Sequence, residues 1–258
     1  MPIKVGFFGH SEMLQEFKEF APRVANIEMV EITKANLRGT MDLDYAIIRC
    51  TTSVKPQMEG FVRRNPHINF LDNLDRFFSP LGKKESSIAR MHDGTGARTF
   101  LTVDETTVFP IVAKPIMGRK EQGILYLNNY AEYKRAEREI DLPSYIFQSK
   151  LNIDTEYRAL VLHINGVFKA FIRRKVRAAG VSQKPLKVSQ SNVNKITAFI
   201  QRTRSNKVGI IGYDIAILQD GSIVYIEENR SPMFEITEKR FDTSMPREIL
   251  QIIADSHR

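Results

Sequence analysis

Two apolar runs hinged on Asp220-Gly221, "VGIIGYDIAILQDGSIVYIEEN" at residues 208–229, constrain this chain more than any other stretch. Aspartate-glycine between such runs is a favoured two-residue hairpin loop of type I′. In that register Gln219 pairs with Ser222, and Asp214 stands directly opposite Glu227. Side chains alternate along a strand, so Glu227 and Asn229 share the face of Asp214 while Glu228 points the other way. Directly opposed residues have Cβ atoms about 4.5–5.5 Å apart. Two carboxylates that close repel unless a proton or a cation lies between them. A donor set of oxygens alone, with no clustered His or Cys, fits Mg²⁺. The competing reading is a strand end that reaches water with its acids paired to Lys or Arg. Glu228 is expected to find a Lys or Arg of its own on the opposite face.

At 258 residues the chain can bury a sizeable core, as one two-part domain or as two small ones. Its shares of hydrophobic (42%) and charged (26%) residues are those of soluble globular chains. No apolar run nears the roughly 20 residues of a membrane span. The opening "MPIKVGFFGH" reads as a first strand rather than a signal peptide. A single cysteine, Cys50, excludes an internal disulfide and a Cys-rich metal cluster. A cytoplasmic location is the simplest expectation. The formal charge of +8 suits an anionic partner, whether nucleotide phosphates, an acidic protein or nucleic acid. Nucleic acid is the less favoured, because no RNP-like, zinc-finger or helix-turn-helix signature accompanies the charge.

Along the chain, "IKVGFFG" predicts a buried strand, followed by a helix near Glu12 to Phe20; "DYAIIRC" at 44–50 predicts a second strand, then a helix to about Arg64. This alternation implies a small open α/β unit with a parallel sheet. Gly6 and Gly9 lack the full glycine spacing of a dinucleotide loop. Beyond Leu71 come a linker and helix, then "VFPIVAKP", a strand whose Pro110 favours an edge position. "GILYLNN" is another strand, and residues 129–140 form a charged helix capped by Asn128 or Asn129. "SYIFQSKL" and "YRALVLHING" are strands, with Asn165-Gly166 turning into "VFKAFIRR". Ser191 is the expected cap of a helix with Ile196, Phe199 and Ile200 on its apolar face.

With these elements in order, "GYDIAILQDGSIVYIEENRSP" is similar to the C-terminal signature of ATP-grasp enzymes, an Asp on one strand followed by Glu-x-Asn on the next. Within that superfamily it most resembles the carboxylate–amine ligases, such as glutathione synthetases and ribosomal-protein glutamyl ligases. "IVAKP" looks like the strand of the second nucleotide lysine, Lys114, and "GKKESSIARM" like the helix of the first, Lys84 with Lys83 as its rival. "YIFQSKL" resembles the hinge strand that meets adenine, at Gln148, Ser149, Lys150 and Leu151. "DTEYRALVLHING" resembles the Asp-x-Arg strand, with Glu156 in place of Asp on the ribose side. Arg158 and Arg173 would face phosphate or substrate as catalytic arginines, and Arg49 is a weaker substrate-site candidate.

The resemblance implies an α/β (α+β) ATP-grasp fold with a small open N-terminal α/β domain at 1–75 and an ATP-grasp domain at 76–258. Within the latter it implies a lid-bearing lobe over about 76–150 and a metal-binding lobe over about 151–258, with the lid loop between Pro115 and Gly123. It further implies ATP and two Mg²⁺ ions, Mn²⁺ being an alternative, held by Asp214, Glu227 and Asn229 with Glu227 bridging. The activity implied is ligation of a small-molecule or peptide carboxylate to an amine through an acyl phosphate, with ADP released. A homo-oligomer is compatible. The alternative expectation keeps the fold but not the ligation: a phosphotransferase or nucleotide-binding module, with nucleic acid as one version of its target.

Overall fold

The run Ile3–Phe8 is apolar at nearly every position because both of its faces are covered. The computed structural model describes the chain apart from residues 25, 50–53, 73–82, 101, 117–121, 176–186, 205–208, 230–231 and 258. In it β1 (Ile3–Phe8) lies between β2 (Ile27–Glu31) and β3 (Tyr45–Ile48), with β4 (Asn69–Phe70) beyond β3, and every pairing is parallel. On one face Val5, Phe7, Tyr45 and Ile47 pack with Leu14 and Phe17 of α1 (Ser11–Phe20). On the other, Ala46 and Ile48 pack with Met58 and Phe61 of α2 (Lys55–Arg64). The expected open parallel unit is present. β2 and β4 were not legible as strands. Gly6 and Gly9 serve packing: a Cβ on Gly6 would stand 2.6 Å from Leu43, and one on Gly9 2.9 Å from the Arg49 Cβ. The expected division at residue 75 falls in the 73–82 stretch, outside the described residues.

After α3 (Lys83–His92), a second sheet runs β5-β8-β6-β7, from Thr99–Phe100, Tyr145–Ser149, Ile111–Pro115 and Leu125–Leu127. Its core is Ile111, Ala113, Leu127 and Phe147 against Tyr133 and Ala136 of α4 (Tyr130–Ala136). Asn129 caps α4, its side chain accepting the Glu132 N–H at 2.9 Å. One expectation fails here: β6 is an inner strand, not an edge. Pro110 precedes the strand, where no ladder donor is needed, and contributes its carbonyl to the Lys150 N–H at 3.0 Å.

The third sheet, β10-β9-β11-β12, is antiparallel throughout: β9 Ile153–Ile164, β10 Val167–Arg174, β11 Gly209–Leu218 and β12 Ile223–Asn229. Asn165 and Gly166 form the two-residue turn between β9 and β10, both at positive φ. Alternate residues of this sheet enter two different cores. Ala159, Val161, Ile211, Tyr213 and Ile215 pack under Ile196, Phe199 and Ile200 of α5 (Gln190–Arg204). Leu160, Leu162, Ile164, Phe171 and Ile210 share the core of β1 and α1, with Ile249 and Ile253 of α7 (Met245–Asp255). A short helix, α6 (Glu235–Phe241), precedes α7. Ser189 rather than Ser191 receives an amide at the start of α5, from Asn192 at 3.3 Å; Ser191 lies inside the first turn. At Gly209, φ +128°, the chain passes so close to Leu71 that a Cβ would stand 2.4 Å from its carbonyl oxygen, a spot only glycine fits.

A charged row across the sheet: the candidate active site

The face of the third sheet that is apolar over the N-terminal unit turns charged further along. In β9 that face carries Ile164, Leu162 and Leu160, and then, toward the strand's start, Arg158 and Glu156. In β11 the same face carries Ile210, Gly212 and Asp214, and in β10 Phe171, then Arg173. The registers align Arg173 with Arg158, Arg158 with Asp214 and Asp214 with Glu227. Four charged residues thus form one row across four strands, two cations and then two anions. Asn229 stands opposite Gly212, where a Cβ would lie 2.8 Å from Pro232 and 3.4 Å from the Asn229 Cβ.

The hairpin expectation was right about the pair and wrong about its cause. Leu218, not Gln219, pairs with Ser222, its N–H donating to the Ser222 carbonyl at 2.9 Å. The loop therefore has three residues, Gln219, Asp220 and Gly221, with Gly221 at φ +82°. That shifts Ile215 opposite Tyr225, one residue from the expected register, until a bulge between Asp214 and Ile215 restores it. Asp214 then faces Glu227, and Gly212 faces Asn229.

Within the row, Arg158 holds Asp214 with two parallel bonds, Nε to Oδ1 at 2.6 Å and Nη2 to Oδ2 at 2.7 Å. Asp214 is buried while Arg158 is about one-third exposed, 36%. Burial alone would raise the Asp214 pKa, but Arg158's bonds and charge, with Lys175, outweigh it and hold the carboxyl below its ordinary value. The same bonds raise the Arg158 pKa. Arg173 goes the other way: burial lowers its pKa first, and its neighbour Arg158 lowers it further. Two adjacent guanidiniums repel, and an anion between them relieves that repulsion.

Lys175 was missed. Its ammonium lies 3.4 Å from Asp214 Oδ2 and 3.6 Å from Glu156 Oε2, and its N–H donates to the Glu156 carbonyl at 2.8 Å. The "RRKVR" run reads as a solvated face, but the alternation that puts Arg173 on the row puts Lys175 beside it. Glu156 is buried opposite Ala216.

The second sheet gathers the other candidates. Lys114 Nζ donates to Gln148 Oε1 at 2.9 Å, and Gln148 Nε2 to Thr99 Oγ1 at 3.1 Å. The Ser149 and Lys150 amides donate to the carbonyls of Arg98 (2.9 Å) and Pro110 (3.0 Å). Lys150 is exposed beside the Tyr126 ring, and Leu151 is half-buried where the chain crosses into β9. Lys84 is half-buried in the first turn of α3; the Lys83 side chain lies outside the described residues, as do 117–121 of the expected lid loop. Arg49 is buried, its guanidinium 3.7 Å from Asp72, 3.3 Å from the Pro232 carbonyl and over the Phe234 ring. Burial lowers its pKa against the opposing charge of Asp72.

Glu228 does face the other side, in an ion pair with Arg90 of α3. Among the described residues no three His, Cys, Asp or Glu side chains cluster as a metal site. Asp214, Glu227 and Asn229 bring two carboxylates and an amide to one end of the row, and hard oxygen donors of this kind would fit Mg²⁺ supplemented by water and phosphate.

No family model matches the sequence, and no curated protein does. Solved structures match the fold. N5-carboxyaminoimidazole ribonucleotide synthetase from Thermotoga maritima superposes with a TM-score of 0.68 at 12% identity, covering 97% of this chain and 75% of that one. The ATP-grasp ligase PsnB, complexed with a phosphomimetic variant of its minimal precursor, Mg and ADP, gives 0.66 at 13%, covering 100% and 99%. The biotin carboxylase domain of Hydrogenobacter thermophilus 2-oxoglutarate carboxylase, with MgADP and bicarbonate, gives 0.65 at 13%, covering 97% and 69%.

The chain has the ATP-grasp fold. No helix among its described residues is long and apolar enough to cross a membrane.

Proposed function

We propose that the protein is an ATP- and Mg²⁺-dependent carboxylate–amine ligase that forms an amide or peptide-like bond through an acyl phosphate and releases ADP. The row Arg173–Arg158–Asp214–Glu227 carries this reading, set in an ATP-grasp fold. Its anionic end would hold the cation, with Asn229, and its cationic end the anion being transferred. Bound Mg²⁺ supplies charge neutralisation at the phosphates. Arg158 and Arg173 present guanidiniums toward the transferring phosphoryl group and the acid, a task of positioning and electrostatics rather than covalent chemistry. Lys114, oriented by Gln148, and Lys84 would meet the nucleotide phosphates. Ser149 to Leu151 would meet the base, and Glu156 the ribose.

The substrate we infer is a small-molecule or peptide acid; PsnB, of nearly the same length and fold, is complexed with a variant of its minimal precursor. Incubation with ATP, Mg²⁺ and pooled amino acids or peptides should release ADP and phosphate together with a new amide. Release of AMP, or a stable phosphorylated product with no free phosphate, would sink the ligase reading.

A further inference from the structure

On the hairpin face away from Asp214, Arg90 and Glu228 form an ion pair sealed from water, Nη2 to Oε2 2.5 Å, with side-chain exposures of 4% and 1%. The Arg90 guanidinium lies 4.1 Å from the centre of the Tyr225 ring and 6.0 Å from that of Tyr213. Arg90 also grips the strand through backbone. β12 is the last strand of its sheet, and Gly96 bridges to it at Tyr225, whose N–H donates to the Thr95 carbonyl at 2.8 Å. The Thr95 and Gly96 amides in turn donate to the Arg90 carbonyl at 2.9 and 3.0 Å. A Cβ on Gly96 would stand 2.7 Å from the Arg90 Cβ, so this turn closes tightly on the arginine.

The grip falls where the ladder is weakest. The bulge between Asp214 and Ile215 leaves Ile226 without an opposite residue. At a bulge the strand bends and the pleat alone no longer fixes the aim of the next side chains. A one-residue slip would bring Glu228 to the row and turn Glu227 away. A carboxylate sealed among tyrosines is tolerated only against a cation. Arg90 provides one at the place Glu228 occupies.

We propose that Arg90 and Glu228 are positioning residues of the cation site: together they fix the rotation of β12 that aims Glu227 and Asn229 at Asp214. This rests on the reading of Asp214, Glu227 and Asn229 as cation ligands.

The test titrates Mn²⁺ into the full chain in the presence of ADP, following free Mn²⁺ by electron paramagnetic resonance. ADP binding in EDTA and urea unfolding are measured beside it. The variants are Arg90→Leu with Glu228→Leu, because an apolar pair in place of a buried ion pair is often neutral for folding, and Arg90→Lys, which keeps the charge but loses the fork. Both should unfold cooperatively and bind ADP in EDTA as the parent does, yet bind Mn²⁺ about 10- to 100-fold more weakly, the range for lost outer-shell support. Parent-like Mn²⁺ affinity in either folded variant would overturn the proposal. Glu227→Gln separates the two levels. If it abolishes Mn²⁺ binding while the pair variants do not, positioning alone fails; if it changes nothing, the cation reading fails and takes the proposal with it.

Discussion

Two arginine–carboxylate pairs stand back to back across the β11–β12 hairpin, and they differ mainly in their access to water. Arg158–Asp214 is bidentate, but its arginine is 36% exposed and flanked by Arg173, Lys175 and Glu227. Arg90–Glu228 is sealed at 4% and 1%, walled by two tyrosines. An exposed guanidinium exchanges partners at little cost, because water and other ions replace what it leaves. A sealed one cannot, because an unpaired charge in a low-dielectric interior is severely penalised. The same chemistry thus leaves a pair open to exchange on one face and fixes architecture on the other.

The largest effect should come from the row itself. Glu227→Gln and Asp214→Asn should each lower ADP release by more than about 100-fold, since losing outer-shell partners alone costs about 10- to 100-fold in a metal site. Near-parent turnover in either variant would remove the row from the chemistry. Next come the two arginines, whose effects should cross. Arg90→Ala should destabilise the fold by about 3–5 kcal/mol in urea unfolding, by stranding Glu228. Arg158→Ala should cost less stability, because Lys175 still faces Asp214, but should lower turnover by about 100-fold, as loss of an electrostatic contact to transferring charge does. Equal losses of stability in the two variants would break the comparison. Lys175→Met should be milder, lowering turnover by about 10-fold while leaving the urea midpoint near that of the parent.

How much of this was legible depends on how local each signal is. Asn165-Gly166, Asn129 and the alternation that separates Glu227 from Glu228 are decided within a few residues, and the structure agrees with each. The Asp214–Glu227 pairing was reached through two errors that cancel: a loop one residue longer than expected, and a bulge that takes the slip back. No short stretch announces a bulge, because it answers to β9 on one side of β11 and β12 on the other. Lys175 was within reach of the alternation but hidden in a run of charges. Arg90 was not, since its partner lies 138 residues away and only the fold brings them together. The basic partner of Glu228 could be expected as a type of residue, not as a position.

The smallest predicted effect concerns the turn that starts this hairpin. The Asp220 carboxylate accepts the Ser222 N–H at 2.9 Å and the Ser222 hydroxyl at 2.7 Å, and these bonds lower its pKa below the ordinary value. A carboxyl depressed in the folded state supports the fold above its unfolded pKa, about 3.9, and that support disappears as the pH falls through the folded value. The Asp220→Ala variant should therefore have a slightly lower urea midpoint than the parent, by an amount constant between about pH 7 and pH 5 that closes as the pH falls below the unfolded value of about 3.9. Turnover at neutral pH should barely change, because the Asp214–Ile215 bulge and the Arg90–Glu228 pair lie between this turn and the charged row. A large loss of turnover would mean that the loop, rather than the sealed pair, decides which face each glutamate takes.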